Sequence, residues 1–201
     1  WEVKRLKHLS CRIGDGMHTT PNYVDVSEIY FINGNNLNNG KITITENTGR
    51  IDEDEYAKFR ISLNKDTILI SINGTIGNLA FYNKEKVILG KSAAYIKCPA
   101  SLSKYFVYYS LQTDYIKNYF KSSYSGTTIE NLSLETLKNT PLPFPNLVEQ
   151  IQIAKYLDKA TSMIDEAVKK IEIRIELLEE YKKSLIHNIV TGKVNVQGGD
   201  E

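Results

Sequence analysis

The stretch TPLPFPNLVEQIQIAKYLD, from Thr140 to Asp158, divides the chain into two unlike parts. Prolines at positions 141, 143 and 145 favour an extended backbone, because each pyrrolidine ring holds φ at about −65°. After them no proline or glycine occurs until Gly192, and the intervening residues have helical spacing. The sequence therefore predicts a stiff extended spacer that leads directly into the longest helix of the chain.

This helix has a start signal and a stop signal. Asn146 suits the N-cap, Glu149 follows three residues later as its capping-box partner, and Gly192 supplies a stop. The span is roughly 40 residues, or about 60 Å at a rise of about 1.5 Å per residue, which is too long to be buried in a domain of this size. We therefore expect a globular domain over residues 1–145, a long helix over residues 146–192 and a tail over residues 193–201.

Apolar residues recur along the helix in steps of four and three, and only Thr161 and Lys182 interrupt the series. The recurring positions are Leu157, Ile164, Val168, Ile171, Ile175, Leu178, Leu185 and Ile189. This spacing is typical of a coiled-coil seam, and the flanking charges have both signs. It predicts pairing with a second helix, from another recognition unit or another copy of the chain. The alternative is one amphipathic helix that folds back on its own domain.

Residues 1–100 have the pattern of short strands separated by turns. The run DTILISI, residues 66–72, has an isoleucine at every second position, which predicts a strand buried mainly on one face. Residues 101–124 change to helical spacing and predict a helix packed on the sheet; a stripe of tyrosines there could instead contact phosphates or stack on bases. The fold class is α+β, with a curled mixed or antiparallel sheet and packed helices before the long helix.

Composition limits the possible functions. With 201 residues, of which 41% are hydrophobic, the chain can form one core plus an appendage. The formal net charge is +1, which argues against a strongly basic nucleic-acid protein, although residues 1–148 carry 17 lysines and arginines against 14 acidic residues. No apolar run is long enough for a membrane span and the first residues do not resemble a signal peptide, so we expect no membrane partner and a cytoplasmic location.

Motifs for catalysis and metal binding are lacking in the sequence. There is no glycine-rich phosphate loop of the GxGxxG or GxxxxGK[ST] type, and no NPPF or DPPY motif of adenine methyltransferases. Cys11 and Cys98 are far apart, and only three histidines are present. We therefore expect no catalytic residue, no metal site and no cofactor bound by this chain.

Three segments contain candidate DNA contacts. The densest polar cluster is RIGDGMHTTPNY, residues 12–23, which contributes Arg12, Asp15, Met17, His18, Thr19 and Thr20. One interpretation is a turn in which Asp15 and His18 satisfy local backbone groups. The other is a loop in which Arg12 contacts phosphate and His18 or Thr20 reaches a base edge.

The two other segments supply small polar groups. LGKSAAY contributes Lys91 and Ser92 after a glycine, where a phosphate contact and a solvated lysine are equally compatible with the sequence. SSYSGTTIENLS contributes Tyr124, Ser125 and Thr127, whose hydroxyls and neighbouring amides are open to a phosphate backbone because no bulky side chain blocks their approach.

Taken in order, six motifs resemble one family, the specificity subunits of type I restriction-modification enzymes. They are WEVKRL, DGMHTTP, DTILISINGTIG, GTTIENLSLETLKNTPLPFP, EQIQIAKYLD and LIHNIVTGKVNV, and they extend over nearly the whole chain. The resemblance implies a target-recognition domain followed by a long helix. In the family two such units pair their helices antiparallel, which sets the distance between two halves of a split DNA target.

The resemblance also implies a function. This chain, equivalent to half a specificity subunit, would read one half of the double-stranded DNA target without catalysis and dock the methyltransferase subunits. S-adenosylmethionine, ATP and Mg²⁺ would belong to the partner subunits that methylate adenine and cleave DNA. The alternatives are a coiled-coil adaptor that binds only proteins, and a stand-alone DNA methyltransferase or nuclease, which the absent motifs disfavour.

Overall fold

A computed structural model describes residues 1–10, 12–124 and 130–194. The chain divides into two compact units, Trp1–Ala154 and Lys155–Glu201. The strands within the described residues are β1 (Glu2–Arg5), β2 (Arg12–Asp15), β3 (Ile29–Ile32), β4 (Leu37–Asn38), β5 (Lys41–Ile42), β6 (Arg50–Ile51), β7 (Thr67–Ser71), β8 (Leu79–Phe81), β9 (Val87–Leu89), β10 (Ala93–Lys97) and β11 (Pro141–Phe144). The α-helices are α1 (Leu6–Leu9), α2 (Glu53–Phe59), α3 (Lys104–Leu111), α4 (Asp114–Lys121), α5 (Leu134–Lys138) and α6 (Leu147–Val190).

The central sheet of the first unit has four antiparallel strands in the order β2-β10-β7-β8. Strand β7 is buried at all five positions. Ile68 and Ile70 pack into one apolar cluster with α3 and α4, whereas Leu69 points into a second cluster with β3 and β9. The prediction that this strand is buried mainly on one face was therefore wrong, because apolar layers cover both faces of the central sheet.

A second sheet combines antiparallel and parallel pairing. Its order is β6-β3-β9; β3 runs antiparallel to β6 and parallel to β9. Strands β4 and β5 form a short hairpin, with the turn residues Asn39 and Gly40 at positive φ. The α+β class and its mixed and antiparallel pairing agree with the prediction; the strands among the described residues are divided over four sheets.

The proline segment is a strand of the first unit. Strand β11 pairs antiparallel with β1, so that Lys4 faces Leu142 and Glu2 faces Phe144. Proline is compatible with a two-stranded pair because each strand leaves one edge without a neighbour. Leu142, between two prolines, is fully buried. The segment is thus extended as predicted, and the first strand of the chain holds it in place.

Residues 101–124 form two helices rather than one. Helix α3 ends at Leu111, and the Thr113 side chain caps the next helix by accepting a hydrogen bond from the backbone N–H of Ile116. Phe106, Ile116 and Phe120 are buried against the central sheet. The expected packing is therefore present, but the chain turns between the two helices.

The long helix α6 begins and ends close to its predicted limits. The Asn146 side chain accepts from the backbone N–H of Glu149 at 3.0 Å, and the Glu149 carboxylate accepts from the Asn146 N–H at 3.0 Å, which together form the predicted capping box. Gly192, at φ +72°, lies just beyond the last helical residue, Val190.

The first turns of α6 belong to the first unit, which extends to Ala154. Gln150 is fully buried; its amide oxygen accepts from the Ser103 N–H at 2.9 Å, and its amide nitrogen donates to the Pro145 carbonyl at 2.9 Å. The compact unit therefore extends beyond the predicted limit at residue 145. No helix among the described residues is long and apolar enough to cross a membrane.

Candidate nucleic-acid interface

The loop after β2 lies beside the turn between β9 and β10. The Met17 N–H donates to the Leu89 carbonyl at 2.7 Å. A Cβ on Gly16 would stand 2.0 Å from that same carbonyl oxygen, so only glycine permits this approach. As a result Met17, His18, Thr19 and Thr20 line a hollow of about 190 Å³ together with Lys91. Five candidate residues from two distant segments are thus brought together.

Asp15 and His18 hold this loop through a direct contact. The Asp15 Oδ2 and His18 Nε2 atoms are 2.7 Å apart. The Asp15 side chain is mostly covered, whereas the His18 side chain is 68% exposed. The contact joins the two side chains to each other, whereas the structural interpretation of the sequence had them bonded to backbone groups. The interpretation of His18 as a DNA-facing residue stays a prediction.

Lys91 and Ser92 have different environments. The Ser92 hydroxyl donates to the Asn33 Oδ1 at 3.0 Å and accepts from the Gly34 N–H at 2.9 Å. These bonds tie the β9–β10 turn to the 3₁₀ helix Gly34–Asn36. Lys91 is exposed, and within the described residues its ammonium makes no hydrogen bond or ion pair. Of the two, Lys91 is the side chain available to an external phosphate.

A second hollow, of about 400 Å³, adjoins the first and shares Tyr23, Phe31 and Asn33 with it. Its other lining residues are Asn35, Asn36, Thr45, Asn47, Thr48 and Gly49. We call the two hollows together the polar groove. It is lined at one end by Met17–Thr20 and Lys91, and at the other by Asn33, Asn35, Asn36, Thr45, Asn47, Thr48 and Gly49. Lys91 is the only lysine, arginine or acidic residue among the described residues that line it.

The asparagines of the groove do not all have the same role. Asn36 accepts from the Asn33 N–H at 3.0 Å and donates to the Thr43 carbonyl at 3.0 Å, so it supports the fold. Asn35 and Asn47 are exposed, with no side-chain hydrogen bond inside the part of the chain that the structure describes. These residues were not among those predicted from the sequence. The signal was the dense run INGNNLNNG, residues 32–40, which holds five asparagines.

Two further candidates lie outside the groove. Arg12 is exposed at the start of β2, opposite Lys97, about 10 Å along the strand from Asp15 at about 3.3 Å per residue. Tyr124 lines a separate hollow of about 290 Å³, which residues of α3 and α4 form together with Asn39, Gln112 and residues 76–79. Burial, together with the nearby Glu130 carboxylate, raises the pKa of the Tyr124 hydroxyl. Ser125 and Thr127 lie outside the described residues.

The predicted seam lies on an exposed face of α6. Ile164, Val168, Ile171, Ile175, Leu178 and Leu185 are all exposed, and Leu157 and Ile189 are partly so. No side chain over residues 155–194 is buried. Among the residues that the structure describes, no group of three or more His, Cys, Asp or Glu side chains has an arrangement that could hold a metal ion.

Fold and site define a modular protein, in which a compact α+β domain presents a polar groove and continues into a helix with an exposed apolar seam. The model of one family, the type I restriction modification DNA specificity domain, matches residues 1–177. The chain belongs to this family.

Individual relatives agree with this assignment. The chain is 24% identical over 205 residues to the type I restriction enzyme MjaVIII specificity subunit of Methanocaldococcus jannaschii, an alignment that covers 98% of the chain and 47% of the relative. It is 30% identical over 129 residues to a putative type I specificity subunit of Mycoplasma pneumoniae, covering 63% of the chain and 33% of the relative. The chain therefore spans about a third to a half of the length of these relatives.

Solved structures share the fold. The HsdS subunit from Thermoanaerobacter tengcongensis aligns over 100% of this chain and 51% of its own, with a TM-score of 0.63 and 15% identity. The S subunit of the type I restriction-modification system from M. genitalium aligns over 92% of this chain and 45% of its own, with a TM-score of 0.57 and 22% identity. At these identities the likeness concerns the fold alone.

Proposed function

We propose that this chain is a DNA sequence-specificity unit of a type I restriction-modification system, which reads one half of a bipartite double-stranded target. Membership of the specificity family supports the proposal. The observation that carries it is the polar groove, where the loop Met17–Thr20 and Lys91 meet a row of asparagines and threonines. Such a surface combines a cation for phosphate with neutral amides and hydroxyls for base edges.

The groove residues divide into two roles. Lys91 contacts a phosphate, because its ammonium is exposed and has no partner among the described residues. Thr20, Asn35 and Asn47 reach base edges; asparagine in particular can form two hydrogen bonds with adenine. Arg12, Tyr124, Ser125 and Thr127, outside the groove or outside the described residues, are proposed as flanking contacts to the DNA backbone.

The proposal assigns catalysis to partner subunits. The chain itself is non-catalytic and docks methyltransferase subunits and, through them, the restriction subunits. S-adenosylmethionine, ATP and Mg²⁺ are bound by those partners. A second recognition unit or another copy pairs with α6, so that two half-sites are read at a fixed separation. The complex of the chain and its partner subunits acts in the cytoplasm, where bacterial and archaeal DNA is accessible.

A reconstituted complex tests the proposal. The chain is mixed with its methyltransferase partner, and binding to random-sequence and genomic duplexes is followed by fluorescence anisotropy at several salt concentrations. We expect Lys91→Gln to weaken binding at all sequences and to lower the slope of log affinity against log salt by about 0.9. Lys170→Gln, on the exposed surface of α6 and outside the seam, is the matched control and leaves the slope unchanged.

Mapping of methylated adenines in a genome, with and without the gene, then identifies the half-site. If the complex binds no DNA at any salt concentration while the chain still associates with a protein through α6, the protein is a coiled-coil adaptor. Methyl transfer or cleavage by the isolated chain would instead show that it is an enzyme.

A further inference from the structure

Neutral amides and hydroxyls supply most of the hydrogen-bonding groups of the polar groove. Thr19, Thr20, Asn35 and Asn47 are exposed there, and their side chains make no hydrogen bond within the part of the chain that the structure describes. Each base pair presents its own pattern of donors, acceptors and methyl groups in the major groove of DNA. The side chains that a groove offers therefore limit the bases that it can read.

The groove lacks the side chain that most often recognises guanine. The O6 and N7 acceptors of guanine pair with the two donors of an arginine or a lysine. No arginine lines the groove among the described residues. Arg50, directly after the lining residue Gly49, instead donates to the Ser27 carbonyl at 2.8 Å and lies 5.3 Å from the centre of the Tyr30 ring. The one cation that lines the groove, Lys91, is proposed above as a phosphate contact.

The groove also lacks a carboxylate, which is the usual acceptor for the N4 amino group of cytosine. Asp15, just before the loop Met17–Thr20, is mostly covered, and its carboxylate bonds the His18 ring at 2.7 Å. Glu46 follows Thr45 in the chain but does not line the hollow. Among the described residues, the groove therefore has no charged side chain for cytosine and only Lys91 as a candidate for guanine.

The side chains that are present suit an A·T pair. An asparagine amide donates to adenine N7 and accepts from the adenine N6 amino group, and Asn35 and Asn47 are exposed at one end of the groove. The methyl group of threonine packs against the C5 methyl group of thymine, and Thr19 and Thr20 are exposed at the other end. Neutral side chains can thus contact both bases of an A·T pair.

We propose that the polar groove selects A·T base pairs, with Asn35 and Asn47 on adenine and with Thr19 and Thr20 on the methyl group of thymine. This inference rests on the proposed function, because it concerns the composition of the half-site that the chain reads. The adenine that the methyltransferase subunits modify is not counted, since those subunits act on it. The inference therefore concerns the other specified positions of the half-site.

A randomised target tests the inference. Each half-site found by genome mapping is randomised in turn in a library of duplexes. The complex of the chain with its methyltransferase partner methylates the library, and the methylated duplexes are sequenced. In one half-site we expect A·T pairs at most specified positions besides the methylated adenine. At each of these positions A·T should be preferred over G·C by roughly fivefold to a hundredfold.

The variant Asn35→Arg assigns the preference to the groove. Because arginine pairs with O6 and N7 of guanine, we expect one position of that half-site to change from A·T to G·C while the other positions keep their bases. The matched control is Asn83→Arg, which adds the same charge in the exposed turn between β8 and β9, at the opposite end of β9 from Lys91. It should leave every base preference unchanged.

Three results would overturn the inference: G·C pairs at most of these positions in both half-sites, a guanine preference that Lys91→Gln abolishes, or an unchanged preference in Asn35→Arg. Urea denaturation, with the same midpoint for the variants as for the unmodified chain, shows that the substitutions have not unfolded the protein. A complex that neither binds nor methylates DNA would refute the proposed function and the inference with it. Half-sites of G·C pairs would refute the inference alone.

Discussion

The two units of the chain use apolar residues in opposite ways. In Trp1–Ala154, isoleucine, leucine and phenylalanine side chains fill clusters on both faces of the central sheet. Over residues 155–194 no side chain is buried, although the helix carries a seam of isoleucines and leucines. Leu69 is 0% exposed and Leu178 is 59% exposed, so the same residue type stabilises the fold in one unit and remains open to solvent in the other.

This difference separates two sources of stability. Burial of an apolar side chain contributes about 1.5–3 kcal/mol, and the first unit obtains this contribution from its own chain. The residues of the seam contribute this free energy only when another helix covers them. Their contribution therefore depends on the concentration of the partner. Substitutions in the first unit should therefore change folding, and substitutions on the seam should change association.

The largest effect on folding is expected for Leu69→Ala. Its side chain is fully buried in the central strand β7, and its removal leaves a cavity that the surrounding sheet cannot fill. We expect a loss of about 3 kcal/mol in the free energy of unfolding, measured by urea denaturation. Leu178→Ala is the matched control and should change the unfolding of the first unit by less than about 0.5 kcal/mol. Equal losses in the two variants would mean that the seam is covered within the monomer.

The next effect concerns association rather than folding. We expect Ile171→Glu/Leu178→Glu to abolish pairing through α6, because two charges would have to be buried in the seam. Sedimentation equilibrium in high salt, where repulsion between exposed charges of α6 is screened, should show the unmodified chain self-associating and the variant as a monomer, a difference of at least roughly 2 kcal/mol. Ile173→Glu, on the opposite side of the helix, is the control. If the double variant sediments like the unmodified chain, the seam assignment is wrong.

A smaller effect is expected at the start of α6, which lies within the first unit. Asn146→Ala removes the acceptor for the Glu149 N–H and should lower the free energy of unfolding by about 1 kcal/mol, measured by urea denaturation. Glu149→Gln is the control, because an amide oxygen can still accept from the Asn146 N–H. A loss in the control as large as in Asn146→Ala would show that the carboxylate charge matters more than the hydrogen bonds of the capping box.

The features that the sequence predicts well are local ones. The capping box of Asn146 and Glu149 and the stop at Gly192 each depend on residues a few positions apart, so short motifs suffice to predict them. The exposed apolar residues on one face of α6 follow from one helical period, whereas the pairing of that face with another helix stays a prediction. Extended backbone in the proline segment follows from the restricted φ of proline alone.

Features that depend on pairing between distant segments were not predictable in this way. Strand β11 pairs with β1 from the opposite end of the first unit, and no local pattern reveals that register. The burial of both faces of β7 depends on helices and strands that come from separate parts of the chain. The loop Met17–Thr20 meets Lys91 because Gly16 packs against the Leu89 backbone. Since these segments are distant in the sequence, no local pattern predicts their contact.

The smallest effect on stability, and the most specific on function, is expected at Asn35. This side chain is exposed in the polar groove and makes no hydrogen bond among the described residues, so Asn35→Ala should leave the free energy of unfolding within about 0.5 kcal/mol of the original. If Asn35 reads a base edge, the variant relaxes the preference at one position of the half-site by about 1 kcal/mol. Methylation of a set of single-base target variants by the reconstituted complex measures this preference.

Asn36→Ala provides the contrast within the same groove. Its side chain bonds the Asn33 N–H and the Thr43 carbonyl, so its removal leaves a donor and an acceptor without partners and should cost about 1–3 kcal/mol of stability. We expect the substitution of Asn35 to change the base preference and the substitution of Asn36 to change the free energy of unfolding. If both variants lose stability and neither changes the preference, the asparagines serve the fold alone, and base reading must be assigned to the loop Met17–Thr20.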